Sequence, residues 1–334
     1  MSRLRVGVIG LGVGEQHLRA YLRHPACEVA AICDLDAERL QRVSSELPGV
    51  RPTSEVAELI EDETLDVLSI ASFDDVHASQ AVGGLRAGKH VFVEKPLCRS
   101  MAELRALKQA VEKGDGLQLA SNLVLRAAPL YRWVEDARDA GRLGRLYAFD
   151  GDYLYGRLHK ITDGWRGAVE NYSVMLGGGI HLIDLMLGIL GERPVAVSAA
   201  GNRIATESTA FRQLDFVAAT FSFPSGVVGR VTANFGCVHR HQHVVRVFGT
   251  EATLLYDDAG ARLHESRDPA APPVELGLSG LPAGKGELIP GFIDAILESR
   301  DTTVDRRREF DVISACIGAD RALAEGGPID IEYA

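Results

Sequence analysis

An apolar run, a glycine-rich turn, an amphipathic stretch and a second apolar run closed by an acid fill the first 34 residues. Few folds accept that order. "LRVGVIG" (Leu4–Gly10) is apolar in the manner of a parallel strand covered on both faces. "GLGVGEQH" (Gly10–His17) follows, then "LRAYLRH", then "EVAAICD" (Glu28–Asp34) as the next strand. Gly10 and Gly12 allow a tight turn and close backbone approach to a pyrophosphate, which would sit on the following helix N-terminus. Asp34 can accept from both ribose hydroxyls of an adenosine and would repel a 2′-phosphate, so NAD is expected and NADP disfavoured. The spacing departs from the usual G-x-G-x-x-G: the third glycine is due where Glu15 stands, and the chain has Gly14 instead.

The alternation continues. "LDVLSIAS" (Leu65–Ser72) reads as a strand, "HASQAVGGLRAG" (His77–Gly88) as a helix, and "KHVFVEKP" and "GLQLASN" (Gly116–Asn122) as further strands. Strands alternating with helices predict a doubly wound parallel sheet, the Rossmann architecture. Such sheets bind ligands beyond the carboxyl ends of their strands. The candidate dinucleotide contacts are therefore Gly10, Gly12, Val13, Gly14, Asp34, Ser72, His77, Glu94, Lys95 and Asn122. A bland exit from a buried strand needs neither Glu94 nor Lys95; Lys95 stands where a nicotinamide would lie.

A chain of 334 residues exceeds most single cores, so two domains are expected. Beyond residue 122 the pattern changes. "RLYAFDGDYLYG" alternates like a strand, and "VAVSAAGNRI", "LDFVAATFSF", "VVGRVTANFG", "HVVRVFGT" and "ATLLYDD" follow without intervening helices. That predicts an antiparallel sheet, with "FPSG" (Phe223–Gly226) as a hairpin turn. Helices are expected around Ile289–Ser299 and Glu309–Glu325, with Asp268–Gly284 as a surface loop.

Charge and composition exclude several classes. The formal net charge is -10, against a nucleic-acid footprint. No apolar stretch reaches membrane-spanning length, and the N-terminus enters a strand at once, so a cytoplasmic protein is expected. The five cysteines are scattered, with no C-x-x-C, so neither a disulfide framework nor a zinc site is signalled.

"GGGIHLIDLMLGIL" (Gly177–Leu190) is the chemical centre of the second half. His181 falls in the first turn of a helix opened by glycines, and Asp184 lies on the same face. Oxidising an alcohol by hydride transfer needs a base for the hydroxyl proton, and imidazole titrates near working pH. The assignment is His181 as base, Lys95 as stabiliser of alkoxide charge, and Asp184 as a positioning group. Tyr153, Trp165 and Arg166, with His181, are the candidate substrate contacts: aromatic faces suit sugar rings and a guanidinium suits a carboxylate or phosphate. His239, His241 and His243 alternate along "CVHRHQH" and could share one strand face; no acid accompanies them in that run, no metal is expected, and one of them could reach the substrate.

"GLGVGEQH", "CDLD", "HASQAVGGLRAGKHVFVEKPL", "SNLVLR" and "GGGIHLIDLMLGILGE", in this order, resemble the Gfo/Idh/MocA family of oxidoreductases. The resemblance implies a Rossmann domain over residues 1–122 and an α+β domain with a large, mostly antiparallel open sheet over 123–334. It implies NAD(P)-dependent oxidation or reduction of a sugar, cyclitol or nucleotide-sugar carbinol, and a homodimer or homotetramer formed through the C-terminal sheet. It places Lys95 between nicotinamide and substrate and a cis bond before Pro96. The chain departs from the family's sugar and inositol dehydrogenases in carrying Gly177 where an aspartate stands four residues before the histidine. Two other branches offer alternatives: a glycosidase that uses NAD transiently, and a dinucleotide-binding sensor without catalysis.

Overall fold

The computed structural model describes residues 3–334. The first apolar run forms β1 (Leu4–Ile9), followed by α1 (Gly14–Arg23), β2 (Cys27–Cys33), α2 (Ala37–Ser45), β3 (Arg51–Thr53), α3 (Val56–Glu61) and β4 (Val67–Ile70). Then come α4 (His77–Arg86), β5 (His90–Val93), α5 (Met101–Lys113) and β6 (Leu119–Ser121). These strands pair in parallel in the order β3-β2-β1-β4-β5-β6. The strand order reverses between β1 and β4, the place where open α/β sheets take ligands. The doubly wound Rossmann sheet read from the apolar runs is thus present. Strand β3, "RPT", carries no apolar pattern by which a sequence could announce it.

The chain divides into two units, and not by a single cut after residue 122. The first comprises the chain up to Val124, Ala283–Phe310 and Ala334; the second comprises Leu125–Pro282 and Asp311–Tyr333. The return of Ala283–Phe310 to the first unit has a packing cause. Helix Ile289–Leu297 sets Ile289, Phe292 and Ile293 into the core formed by Val6, Val8, Leu18, Tyr21 and Phe92. Phe92 and Phe292 meet with centroids 5.4 Å apart. An apolar helix face far along the chain does not reveal which core it completes.

The second unit begins with α6 (Pro129–Asp139), β7 (Leu146–Leu154) and the short α7 (His159–Thr162). A five-residue π-turn, Met175–Gly179, runs directly into α8 (Ile180–Leu190). Strands β8 (Ala196–Asn202), β9 (Phe216–Ser222), β10 (Val228–Asn234), β11 (Gln242–Gly249), β12 (Thr253–Asp257), β13 (Gly260–His264), β14 (Val274–Glu275) and β15 (Ile329–Asp330) complete it. The sheet order is β14-β13-β12-β11-β7-β10-β9-β8-β15. The hairpin at Phe223–Gly226 joins β9 to β10, with Gly226 at φ 86°. One pairing departs from the antiparallel expectation: β7 runs parallel to β10. After β7 the chain leaves the sheet through α7 and α8 and re-enters at β8, and a crossover of that kind brings two strands side by side in the same sense. Asp268–Gly284, read as a loop, contributes the two residues of β14.

Helix α8 is apolar on nearly every side, and eight of its eleven residues are buried. A helix of that composition belongs in a core. Its C-terminus is closed by Gly191 in the left-handed region, φ 67°, and by Arg138, whose guanidinium donates to the carbonyls of Gly188 (2.5 Å) and Ile189 (3.0 Å). No helix among the described residues is long and apolar enough to cross a membrane.

Candidate active site

In the first unit the candidate residues collect at the carboxyl ends of β1, β2, β4, β5 and β6. Gly10 has φ 83°, and a Cβ there would strike the backbone of Ala71 at the end of β4, so only glycine fits. Gly14 lies against Ala71 and Val8, its would-be Cβ 3.0 Å from the Ala71 Cβ. It therefore provides the close helix–strand packing that the third glycine of the usual fingerprint provides, one position early. Nothing lies within 4 Å of where a Cβ of Gly12 would be, and Val13 offers α1 no side-chain cap. The open cradle and the uncapped first turn suit an anionic pyrophosphate. Asp34, nearly buried, accepts from the amide of Leu11 (2.6 Å) and of Asp36 (2.8 Å), and Arg39 Nη1 lies 3.2 Å from its Oδ2. The acid thus ties the glycine loop to the end of β2 as well as standing where a ribose would be read. These residues fit a dinucleotide.

Glu94 anchors the end of β5. Its carboxylate accepts from Asn122 Nδ2 (2.7 Å) and lies 3.2 Å from His17 Nε2; His17 Nδ1 lies 3.0 Å from Ser69 Oγ. Asn122 Nδ2 also donates to the carbonyl of Lys285 (2.8 Å). Burial by itself would raise the Glu94 pKa. The hydrogen bond and charge of His17, with Lys285 and Lys95, reverse that and hold it well below the usual carboxylate range. The two charged residues ending this strand therefore have separate roles. Glu94 locks β5, β6 and α1 together, and Lys95, half-buried, is carried at the exit. The Lys95 amide donates to Glu94 Oε2 (3.2 Å), and the Lys95–Pro96 bond is cis. His77 is fully buried, with Nδ1 2.8 Å from the carbonyl of Pro96 and Nε2 3.2 Å from that of Ser72, so it joins the ends of β4 and β5. Ser72 Oγ donates to Gln80 (2.7 Å). Sequence reasoning missed His17, whose place in α1 carries no signal beyond its being a histidine on an inward face.

In the second unit His181 stands on the first turn of α8 among aromatic rings. Tyr153 of β7 stacks on it at 6.4 Å, and His243 of β11 meets it edge-on at 6.1 Å. Tyr153 also packs against His243 (5.3 Å) and His241 (5.2 Å), and these two histidines are 4.9 Å apart. Burial, then Tyr155 and Tyr172, raise the Tyr153 pKa, with Arg166 and Arg157 opposing, so its hydroxyl keeps its proton. Burial, then His241 and Arg157, push His243 down to about 3. Arg166 lies over the Trp165 ring at 4.5 Å and Arg157 over Tyr155 at 5.8 Å. His239 turns to Asp258 instead (2.9 Å) and does not share the face of His241 and His243. Among the described residues no group of three His, Cys, Asp or Glu is placed to hold a metal ion.

Asp184 is buried, and both its oxygens accept from Arg126, in the turn before α6, at 2.7–3.0 Å. The sequence reads Asp184 as a positioning group beside His181; in the fold it pairs with Arg126, a partner that no local pattern made legible.

Residues 4–121 match the family model described as an oxidoreductase family with an NAD-binding Rossmann fold, and 131–255 match the GFO/IDH/MocA C-terminal domain. The protein belongs to the Gfo/Idh/MocA family of oxidoreductases. It is 32% identical over 260 residues to inositol 2-dehydrogenase 3 of Saccharopolyspora erythraea, covering 76% of this chain and 73% of that one. Inositol 2-dehydrogenase 2 of the same organism is 30% identical over 200 residues, 59% of this chain, and the match spans about half of that relative's length (56%). Among solved structures, levoglucosan dehydrogenase in complex with NADH superposes with a TM-score of 0.86 at 22% identity, over 100% of both chains. At that identity the likeness bears on the fold.

Proposed function

We propose that this protein is an NAD-dependent dehydrogenase or reductase acting on a carbinol carbon of a sugar, cyclitol or nucleotide sugar. The observation that carries the reading is His181, held on the first turn of α8 between Tyr153 and His243. A nicotinamide accepts or returns a hydride when bound. Gly10, Gly12, Val13 and Gly14 would receive its pyrophosphate and Asp34 its adenosine ribose, which favours NAD over NADP. Ser72, His77, Glu94 and Asn122 keep the strand ends around it in register. His181 takes the hydroxyl proton as the carbon–hydrogen bond gives up its hydride, and the Lys95 ammonium offsets the charge growing on the oxygen. Asp184 acts through Arg126, fixing the helix that carries His181. Tyr153 serves as a neutral wall, and Trp165 and Arg166 serve the substrate. Relatives named as inositol 2-dehydrogenase and 1,5-anhydro-D-fructose reductase support the substrate class.

The same reading makes the protein a cytoplasmic homodimer or homotetramer through the outward sheet face. That face carries the half-exposed ladder of Asp150, Asp152, Arg230 and Arg246, together with exposed Tyr147. Light scattering on purified protein tests the assembly.

The function is tested on freshly purified protein by releasing any bound dinucleotide, identifying it by mass, and reading its redox state after exposure to inositols, free sugars and nucleotide sugars. Conversion of NAD to NADH by one class, abolished in Lys95→Met with binding retained, is expected. Turnover that survives Lys95→Met, or NAD that no member of the panel reduces, overturns the reading; release of an aglycone without net NADH would point to hydrolysis instead.

A further inference from the structure

The hydride transfer above leaves a proton on His181, which must be cleared before the next turnover. The second unit holds a path for it. His181 is half-buried, His243 is nearly buried behind it at 6.1 Å, and His241 lies 4.9 Å beyond, just before β11. At these centroid separations a proton can pass from ring to ring directly or through one bridging water. His241 Nδ1 lies 3.2 Å from the carbonyl oxygen of Leu154. A carbonyl only accepts, so Nδ1 carries the hydrogen and Nε2 is left as the accepting nitrogen. Tyr153 walls all three rings, and the glycine run makes room for it, since a Cβ on Gly178 would enter the Tyr153 ring.

We propose that His243 and His241 form a relay that carries the substrate's proton from His181 to solvent. The proposal rests on the dehydrogenase reading. In oxidation the hydroxyl O–H bond breaks and its proton passes to His181; the carbon–hydrogen bond breaks and both electrons leave with the hydride for the nicotinamide. His181 then gives its proton to one nitrogen of His243 while the other nitrogen releases one to His241, and His241 releases one to water. His181 and His241 return to their starting forms, while His243 is left in its other tautomer and must reset by turning its ring before the next proton passes. The products are a carbonyl, reduced nicotinamide and one proton. Reduction runs the path inward. The groups facing the relay are Tyr153, which burial keeps protonated, Tyr155, and the cations Arg157 and Arg166. His243, low at about 3, conducts without storing charge.

The test uses full-length protein saturated with NAD, in wild-type, His243→Phe, His241→Phe and His239→Phe forms, with myo-inositol and levoglucosan as reductants. Phenylalanine keeps a ring in place and removes its nitrogens. The expected result is a fall of about tenfold or more in kcat for the first two variants, with KM held, partial recovery on adding free imidazole, and no change for His239→Phe. An unchanged kcat, or a loss that imidazole does not repair, overturns the relay. Histidine 15N spectra without substrate give a readout independent of turnover. They should show His241 as the Nδ1–H form, and the pH titration of His181 should shift in His243→Phe. If neither polyol reduces NAD, a member of the wider panel of sugars and nucleotide sugars that does so replaces them, and if none does, the dehydrogenase reading fails by itself. A His181 titration indifferent to His243→Phe overturns the relay whatever the turnover.

Discussion

The hydroxyl of Tyr172 lies over Gly177, in the space a Cβ at that position would need. Tyr172 is itself buried, with its ring 6.3 Å from those of Phe211 and of Phe235. The absence of a side chain one turn before His181 is therefore matched to the presence of this tyrosine. Gly177→Asp forces the phenol aside and should destabilise the protein by about 1–3 kcal/mol, the usual range for overpacking. Tyr172→Ala in the same background should give much of that back. Urea unfolding of both single variants and the double variant checks it, and strictly additive losses would show that the two positions do not compete.

Arg126 and Asp184 form a buried, multiply bonded ion pair, the carboxylate almost wholly enclosed. Removing one partner strands the other's charge. Arg126→Met should cost about 3–5 kcal/mol, and Arg126→Met with Asp184→Leu should recover most of it. Thermal unfolding of the three variants reads this directly. A double variant no better than the singles would mean that the pair is needed for more than charge balance.

The carboxyl of Glu94 binds its proton more weakly in the folded chain than in the unfolded one, where 4.5 is the ordinary value. The stability it contributes is thus fully present above pH 4.5 and is lost as pH falls below it. Glu94→Gln should be less stable than wild type by about 3–5 kcal/mol at neutral pH. The difference should narrow steadily in denaturation curves taken at successively lower pH. A gap independent of pH would place the cost in packing and not in charge.

Asp34 holds the glycine loop through Leu11 and stands beside the Arg39 guanidinium. Asp34→Ser removes the repulsion toward a 2′-phosphate and leaves Arg39 to receive one. The ratio of NAD to NADP affinity should fall by about tenfold or more, roughly 1.4 kcal/mol. Adding Arg39→Ala should erase the NADP gained. Fluorescence titration with the two reduced dinucleotides measures both steps.

How much of this was legible beforehand follows from the range of the interactions. Apolar runs, glycines and terminal acids are local, and they set the parallel sheet of the first unit, the ends at which Asp34, Ser72, Lys95 and Asn122 stand, and the helix that carries His181. They also set the hairpin between β9 and β10, because its turn is written in four adjacent residues. By contrast, the capture of Asp184 by Arg126, the locking of Glu94 by His17, and the gathering of His241 and His243 beside His181 join residues 58, 77 and about 60 positions apart. So do the parallel pairing of β7 with β10 and the return of Ala283–Phe310 to the first core. The sequence by itself determined which segments could bury an apolar face and which side chains carried usable chemistry. Only the tertiary structure decided which charges and rings meet, because that choice depends on packing distant surfaces without leaving a polar group unpaired, and no local pattern encodes it.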